Sequence, residues 1–124
     1  MKQNDNQLLK MRLATLDSTD SMNTTVYDDS DWKMGVLWWS ALSPSSKVSH
    51  VERHGRIYST NEVRDFYTHS ENVEGCSCSL SPILFNVKTG EVLQTELIEK
   101  MDLARNEHLK TLRLSTITNQ QLDN

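Results

Sequence analysis

The segment "DWKMGVLWWSAL", residues 31–42, carries all three tryptophans of the chain and constrains the fold most strongly. Trp32, Met34, Val36 and Trp38 alternate on one side of it, with Leu37 and Trp39 on the other. That pattern predicts a strand with one buried face and, near its end, a largely buried second face. The "SPSS" that follows breaks the strand at Pro44. With only 36% of 124 residues hydrophobic, the core around this strand is modest and belongs to a single domain.

Other elements follow from periodicity. In "NQLLKMRLATLD", Leu9, Leu13 and Leu16 fall at helical spacing, with Asn4 or Asp5 as cap, which predicts a helix over roughly 5–16. The polar "STDSMNTT" then reads as a loop. "GRIYST" is a short strand, and "STNEVRDFYTH" is a helix of two or three turns capped by Ser59 or Thr60. "PILFNVKTGEVLQ" reads as two short strands turning at Gly90. "TELIEKMDLARNEHLKTLRL" is the longest helix, with Leu97, Met101, Ala104 and Leu112 on its apolar stripe. Its pairs Glu96/Lys100 and Asp102/Arg105 are expected on the wet side. The class is therefore α+β: a few short antiparallel strands flanked by N- and C-terminal helices, with a metal staple as an option. The expected divisions are an acidic helix and loop over 1–31, a core module with the last helix over 32–114, and a disordered tail over 115–124.

Charge excludes several functions. The net charge is −4, and the acidic residues concentrate early, with "DDSD" at 28–31 as the densest run. No Lys- or Arg-rich stripe suggests a dedicated nucleic-acid surface. No apolar run approaches the roughly 20 residues of a membrane span, and the N-terminus lacks the hydrophobic segment of a secretory signal. A soluble protein that stays in the compartment of its synthesis is expected.

The chemistry-bearing residues are His50 and His54 in "SHVERHGRIYS", His69, and Cys76 and Cys78 in "GCSCSLSPI". Two cysteines are too few for a disulfide scaffold, and a bridge across one residue would be strained. His50 and His54 have the H-x3-H spacing of zinc sites, and two thiolates would complete a closed tetrahedral centre. In a small domain with a thin core, the binding energy of such a metal becomes folding energy. The plainer alternative is two surface histidines and two cysteines acting as small buried hydrophobes. An enzymatic alternative takes "HVE" at 50–52 with the cysteines as a zinc deaminase site, Glu52 shuttling the proton. Against it, Gly75 stands where that signature has proline, and a single residue separates the thiols.

Taken together, "WWSALSPSSKVSHVERHGRIYS" and "GCSCSLSPI" resemble the C-terminal domain of phage Mu F-like minor head proteins, the phage head morphogenesis family. That domain reads as a tryptophan and small residues, then Asp-x-Arg-Thr-x-x-x-His, a glycine five residues later, and a C-x-C-x-x-x-P segment. Trp39, Ser40, Ala41 and Leu42 match the opening, and Ser46 the hydroxyl position. His50 matches the histidine, Gly55 the glycine, and Cys76, Cys78 and Pro82 the close. Ser43 and Ser45 stand where the family has its aspartate and arginine, so the pair that would brace the loop is missing. The resemblance spans roughly residues 32–85, and full-length family members are much larger.

The resemblance implies a non-catalytic virion component of a tailed phage, present in the host cytoplasm during assembly. Its partners would be other head or portal proteins, with packaged DNA reached only indirectly, no membrane, and an oligomer within the assembly. Some members carry a cysteine pair before the glycine in place of histidines, which looks like ligand exchange around one metal. That implies a structural zinc held by His50, with His54 or His69, and by Cys76 and Cys78. Trp38, Trp39, Gly55 and Pro82 are the expected structural positions around it. A small phage-encoded protein that binds a host factor is the remaining alternative.

Overall fold

The computed structural model describes residues 3–24 and 30–122. In chain order the elements are α1 (Gln3–Thr24), β1 (Trp32–Trp39), α2 (Val48–Val51), β2 (Ile57–Tyr58), α3 (Thr60–Phe66), α4 (Ser70–Val73), β3 (Ser79–Asn86) and α5 (Thr95–Leu122). The three strands form one antiparallel sheet in the order β2-β1-β3, so the tryptophan strand lies in the middle. The class is α+β, as expected. Pro82 sits in β3 opposite Val36, and an edge strand tolerates its missing N–H.

The alternation of β1 distributes the core over both faces of the sheet. Val36 and Trp38 pack with Leu16 of α1, Val63 and Tyr67 of the α3 region, Val73, Cys76 and Cys78. Leu37 packs on the opposite face with Ile83 and Met101, and Trp39, Ile57, Leu97 and Ile98 close around them. Helices therefore cover both sides. This is why residues of both parities in β1 are apolar, and why Val36, Leu37 and Trp38 are all buried.

α1 runs eight residues beyond its expected end at Leu16, and side-chain bonds to distant elements explain the difference. Arg64 of α3 pairs with Asp17 at 2.9 Å and Asp20 at 2.7 Å, and Thr60 donates to Asp20 at 2.7 Å. Asn23 does more. Its amide donates to the Met34 carbonyl at 2.9 Å and accepts from the Met34 N–H at 2.7 Å. It thus stands in for a strand on the flank of β1 that two-residue β2 is too short to cover. Polar groups that would favour a loop in isolation are spent on tertiary contacts. Asp5, expected as a cap, is a buried helical residue whose carboxylate accepts from Gly75 N–H at 3.3 Å.

The first segment is thus integral to the core rather than an appendage, since Leu16 is wholly buried. Of the acidic run at 28–31, Asp28 and Asp29 lie outside the described residues. α3 matches its expected cap: Ser59 accepts from Glu62 N–H, and the Glu62 carboxylate accepts from Ser59 N–H. The second strand expected after Gly90 reduces to one bridge, Phe85 to Val92, because the chain enters α5 at Thr95. α5 is helical through Leu122, past the expected boundary at Leu114.

The Asp102/Arg105 pair forms at 2.7 Å, but Arg105 is buried rather than on the wet side. Its guanidinium also donates to the His54 carbonyl at 2.8 Å. Gly55, at that same junction, has φ +80°, and a Cβ there would stand 2.8 Å from Met101 Cβ. Only glycine satisfies both the backbone and the close approach of α5.

Leu16→Ala should lower unfolding stability by about 2–5 kcal/mol, the range for a fully buried leucine, read as a drop in the urea midpoint. A shift within error would mean that α1 is not part of the cooperative unit.

Candidate metal centre

His50 sits on α2, a single turn whose position is set from both ends. The Lys47 carbonyl accepts from His50 N–H at 3.0 Å and from Val51 N–H at 3.0 Å. The Lys47 ammonium reaches across to the carbonyls of Glu71 and Glu74 at the end of α4. Gly75, with φ +66°, then turns the chain from α4 towards β3. Cys76 and Cys78 follow at i and i+2, a spacing that puts two side chains on one side of a chain about to enter a strand.

Arg12 of α1 holds that dithiol segment. Its Nη2 donates to the Cys76 carbonyl at 2.9 Å and its Nε to the Cys78 carbonyl at 3.0 Å, so the guanidinium straddles Ser77. Arg12 is itself buried, with its guanidinium 5.3 Å from the Tyr67 ring centre. The fork geometry of arginine suits two carbonyls one residue apart, which a lysine could not bridge in the same way.

His50, Cys76 and Cys78 converge: one ligand atom from each lies within 4.8 Å of the others, and all three residues are buried. His50 Nδ1 is 3.5 Å from Cys78 Sγ. The His50 ring is wedged edge-on between Trp38 and Phe66, and its Nε2 has no hydrogen-bond partner among the described residues. The three side chains could hold a metal ion.

The two thiols titrate as a pair. Cys76 is pulled down, first by its hydrogen bond with Cys78 and, against the effect of burial, by those with His50 and Tyr67. Cys78 is pushed up, first by its hydrogen bond with Cys76 and then by burial. Burial, and then the charge on Cys76, push the Tyr67 phenol up too, so it stays protonated 3.2 Å from Cys76 Sγ. A metal binds the deprotonated sulfurs, so taking up an ion here would release the protons that the pair holds.

The other two candidate histidines are elsewhere. His54 is buried, but its Nδ1 accepts the Ser40 N–H at 3.0 Å and its ring packs edge-on against Trp39. It is a satisfied core histidine, and its expected ligand role is corrected on that ground. His69 is exposed at the start of α4, outside the converging group. His108, from α5, meets the Ser43 carbonyl at 3.0 Å and ties down the 40–47 loop. In that loop Leu42 adopts φ +51°, uncommon for a branched side chain. Glu52 is exposed and lines a separate groove with Arg53, Arg56, Asp102 and Arg105.

Sequence reading missed Arg12 and Tyr67. A signal existed for the arginine, since position 12 falls on the same helical stripe as Leu9, Leu13 and Leu16. A charged residue on an apolar stripe is a candidate buried anchor. Tyr67 carried no comparable mark.

No family model matches the chain, and neither does a curated protein or a solved structure. No helix among the described residues is long and apolar enough to cross a membrane.

The His54 pKa is held below its ordinary 6.5, first by burial and then by the charge of Arg105. The unfolded chain therefore takes up a proton at this residue before the folded one does. Stability from this group should be complete above pH 6.5 and be lost as the pH falls below it, until folded His54 itself protonates. Thermal melts across this window should show a shallower decline for His54→Gln than for the parent. Identical slopes would remove the assignment.

Proposed function

We propose that the protein is a non-catalytic structural or assembly component of a tailed-phage head, associated with the portal, whose module is stapled by one zinc ion. The observation that carries the reading is the meeting of His50 with Cys76 and Cys78. These residues belong to the two segments that carry the resemblance to Mu F-like head proteins, and their convergence supports that reading.

Zinc suits the donor set of one imidazole and two thiolates. Bonds of about 2.3 Å to sulfur and about 2.0–2.1 Å to nitrogen at a tetrahedral angle separate the two ligand atoms by about 3.5 Å. The Cys78 Sγ to His50 Nδ1 distance is 3.5 Å. Zinc would supply cross-linking energy between the 40–54 segment and the start of β3. Glu52, the proton shuttle of the deaminase alternative, lies on a groove that none of the three ligands lines. A mechanical role for the metal accounts for the burial of all three ligands and for the tryptophan packed against His50.

Protein purified without added metal should carry about one zinc per chain by elemental analysis, and a Cys76→Ser/Cys78→Ser double variant should carry none. With free zinc at a roughly thousandfold excess over its Kd, the loss should amount to about 4 kcal/mol, visible as a fall in Tm. Equal metal content and equal melting of the two proteins would refute the staple.

Mass spectrometry of purified phage particles should find the protein at low copy number. Its presence in infected cells but not in particles would instead favour the host-factor alternative.

A further inference from the structure

A tetrahedral metal has four positions, and the converging group supplies three. Among the described residues no other His, Cys, Asp or Glu joins His50, Cys76 and Cys78. Resting on the metal reading above, we propose that the fourth position is open, filled by solvent and exchangeable for a small monodentate anion.

The lining supports this. The three ligands border a small cavity of about 20 Å³ that is also lined by residues of the 41–47 loop, Gly75 and Ser77. Apart from His50, Cys76 and Cys78, no His, Cys, Asp or Glu lines it, so no further side chain of those types stands at the fourth position. Its chemistry supports it as well. Ser43, Ser45 and Ser46 line the cavity, and the Ser43 oxygen lies 3.2 Å from that of Ser45 and 2.9 Å from that of Ser46. Groups that both donate and accept can hydrogen-bond a metal-bound water or an anion equally.

Charge selects the anion. Two thiolates neutralise a divalent ion, and a neutral imidazole adds nothing. The buried Arg12 guanidinium behind the two cysteine carbonyls then stands as an uncompensated positive charge, with its Nη1 unpartnered among the described residues. Lys47 also lines the cavity, but it is exposed and its ammonium is held by the Glu71 and Glu74 carbonyls. An anionic fourth ligand balances the buried charge, whereas a neutral one leaves it exposed to desolvation cost.

The test is cobalt(II) substitution of the intact protein followed by titration with sodium azide, read in the visible ligand-field bands. A saturable shift and intensity change at millimolar azide, with three protein donors in the X-ray absorption spectrum of the azide-free form, is the expected result. A tetrahedral cobalt spectrum indifferent to azide, with four protein donors, would overturn the open position and leave the staple intact. Failure to bind cobalt or zinc at all would overturn both. The two failures are therefore distinguishable.

Discussion

Trp38 is the contact on which the rest of the structure depends. Its ring stacks on Tyr67 at 5.6 Å and meets Phe66, Tyr58 and His50 edge-on, and the Arg53 guanidinium lies 5.5 Å from its centre. Its backbone is equally committed: the carbonyl accepts from Gly55 N–H at 2.9 Å, and the N–H donates to the Arg56 carbonyl at 3.1 Å. One residue in the central strand thereby joins the α3 region, the short β2 strand and the candidate metal centre. In a chain with so little apolar surface, a large aromatic side chain supplies a disproportionate part of the burial.

The remaining cohesion is polar and directed. Positions 5, 9, 12, 16 and 19 of α1 share one stripe, and only Leu9 and Leu16 among them are apolar. Asp5 accepts from Gly75, Arg12 binds two carbonyls beside the thiols, and Thr19 donates to the Thr15 carbonyl at 2.8 Å. These partners matter because an unmade bond in the interior costs more than a made one contributes; only the Arg12 Nη1 on this face is left without one among the described residues. Two of these anchors lead to the segment around Cys76 and Cys78, so the N-terminal helix shapes the site without supplying a ligand.

Much of the fold was legible from local pattern. β1 spans the alternating tryptophan segment, Ser59 and Glu62 form the expected cap, and α5 covers the expected helix. What local pattern misplaced were residues whose preferred local role lost to a distant partner. The polar end of α1 reads as a loop until Arg64, Thr60 and Met34 are brought against it. Arg105 reads as a wet-side residue until the His54 carbonyl meets it. The donor types of the site were legible too, but not the arginine that positions them from 64 and 66 residues away.

The sequence by itself determined the α+β order, the double-faced burial of the tryptophan strand, and the presence of two histidines on one short segment and two cysteines on another. Only the tertiary structure decided which histidine joins the thiols. His50 and His54 are separated by the end of α2 and a turn, so they do not stay on one helical face. Adjacent residues of a strand point to opposite sides of the sheet, and each histidine packs against a different tryptophan: His50 on Trp38, with the cysteines, and His54 on Trp39, facing α5. The spacing in the chain placed both within reach of a metal. Packing against tryptophans on opposite faces of β1 keeps one there and holds the other on the far face.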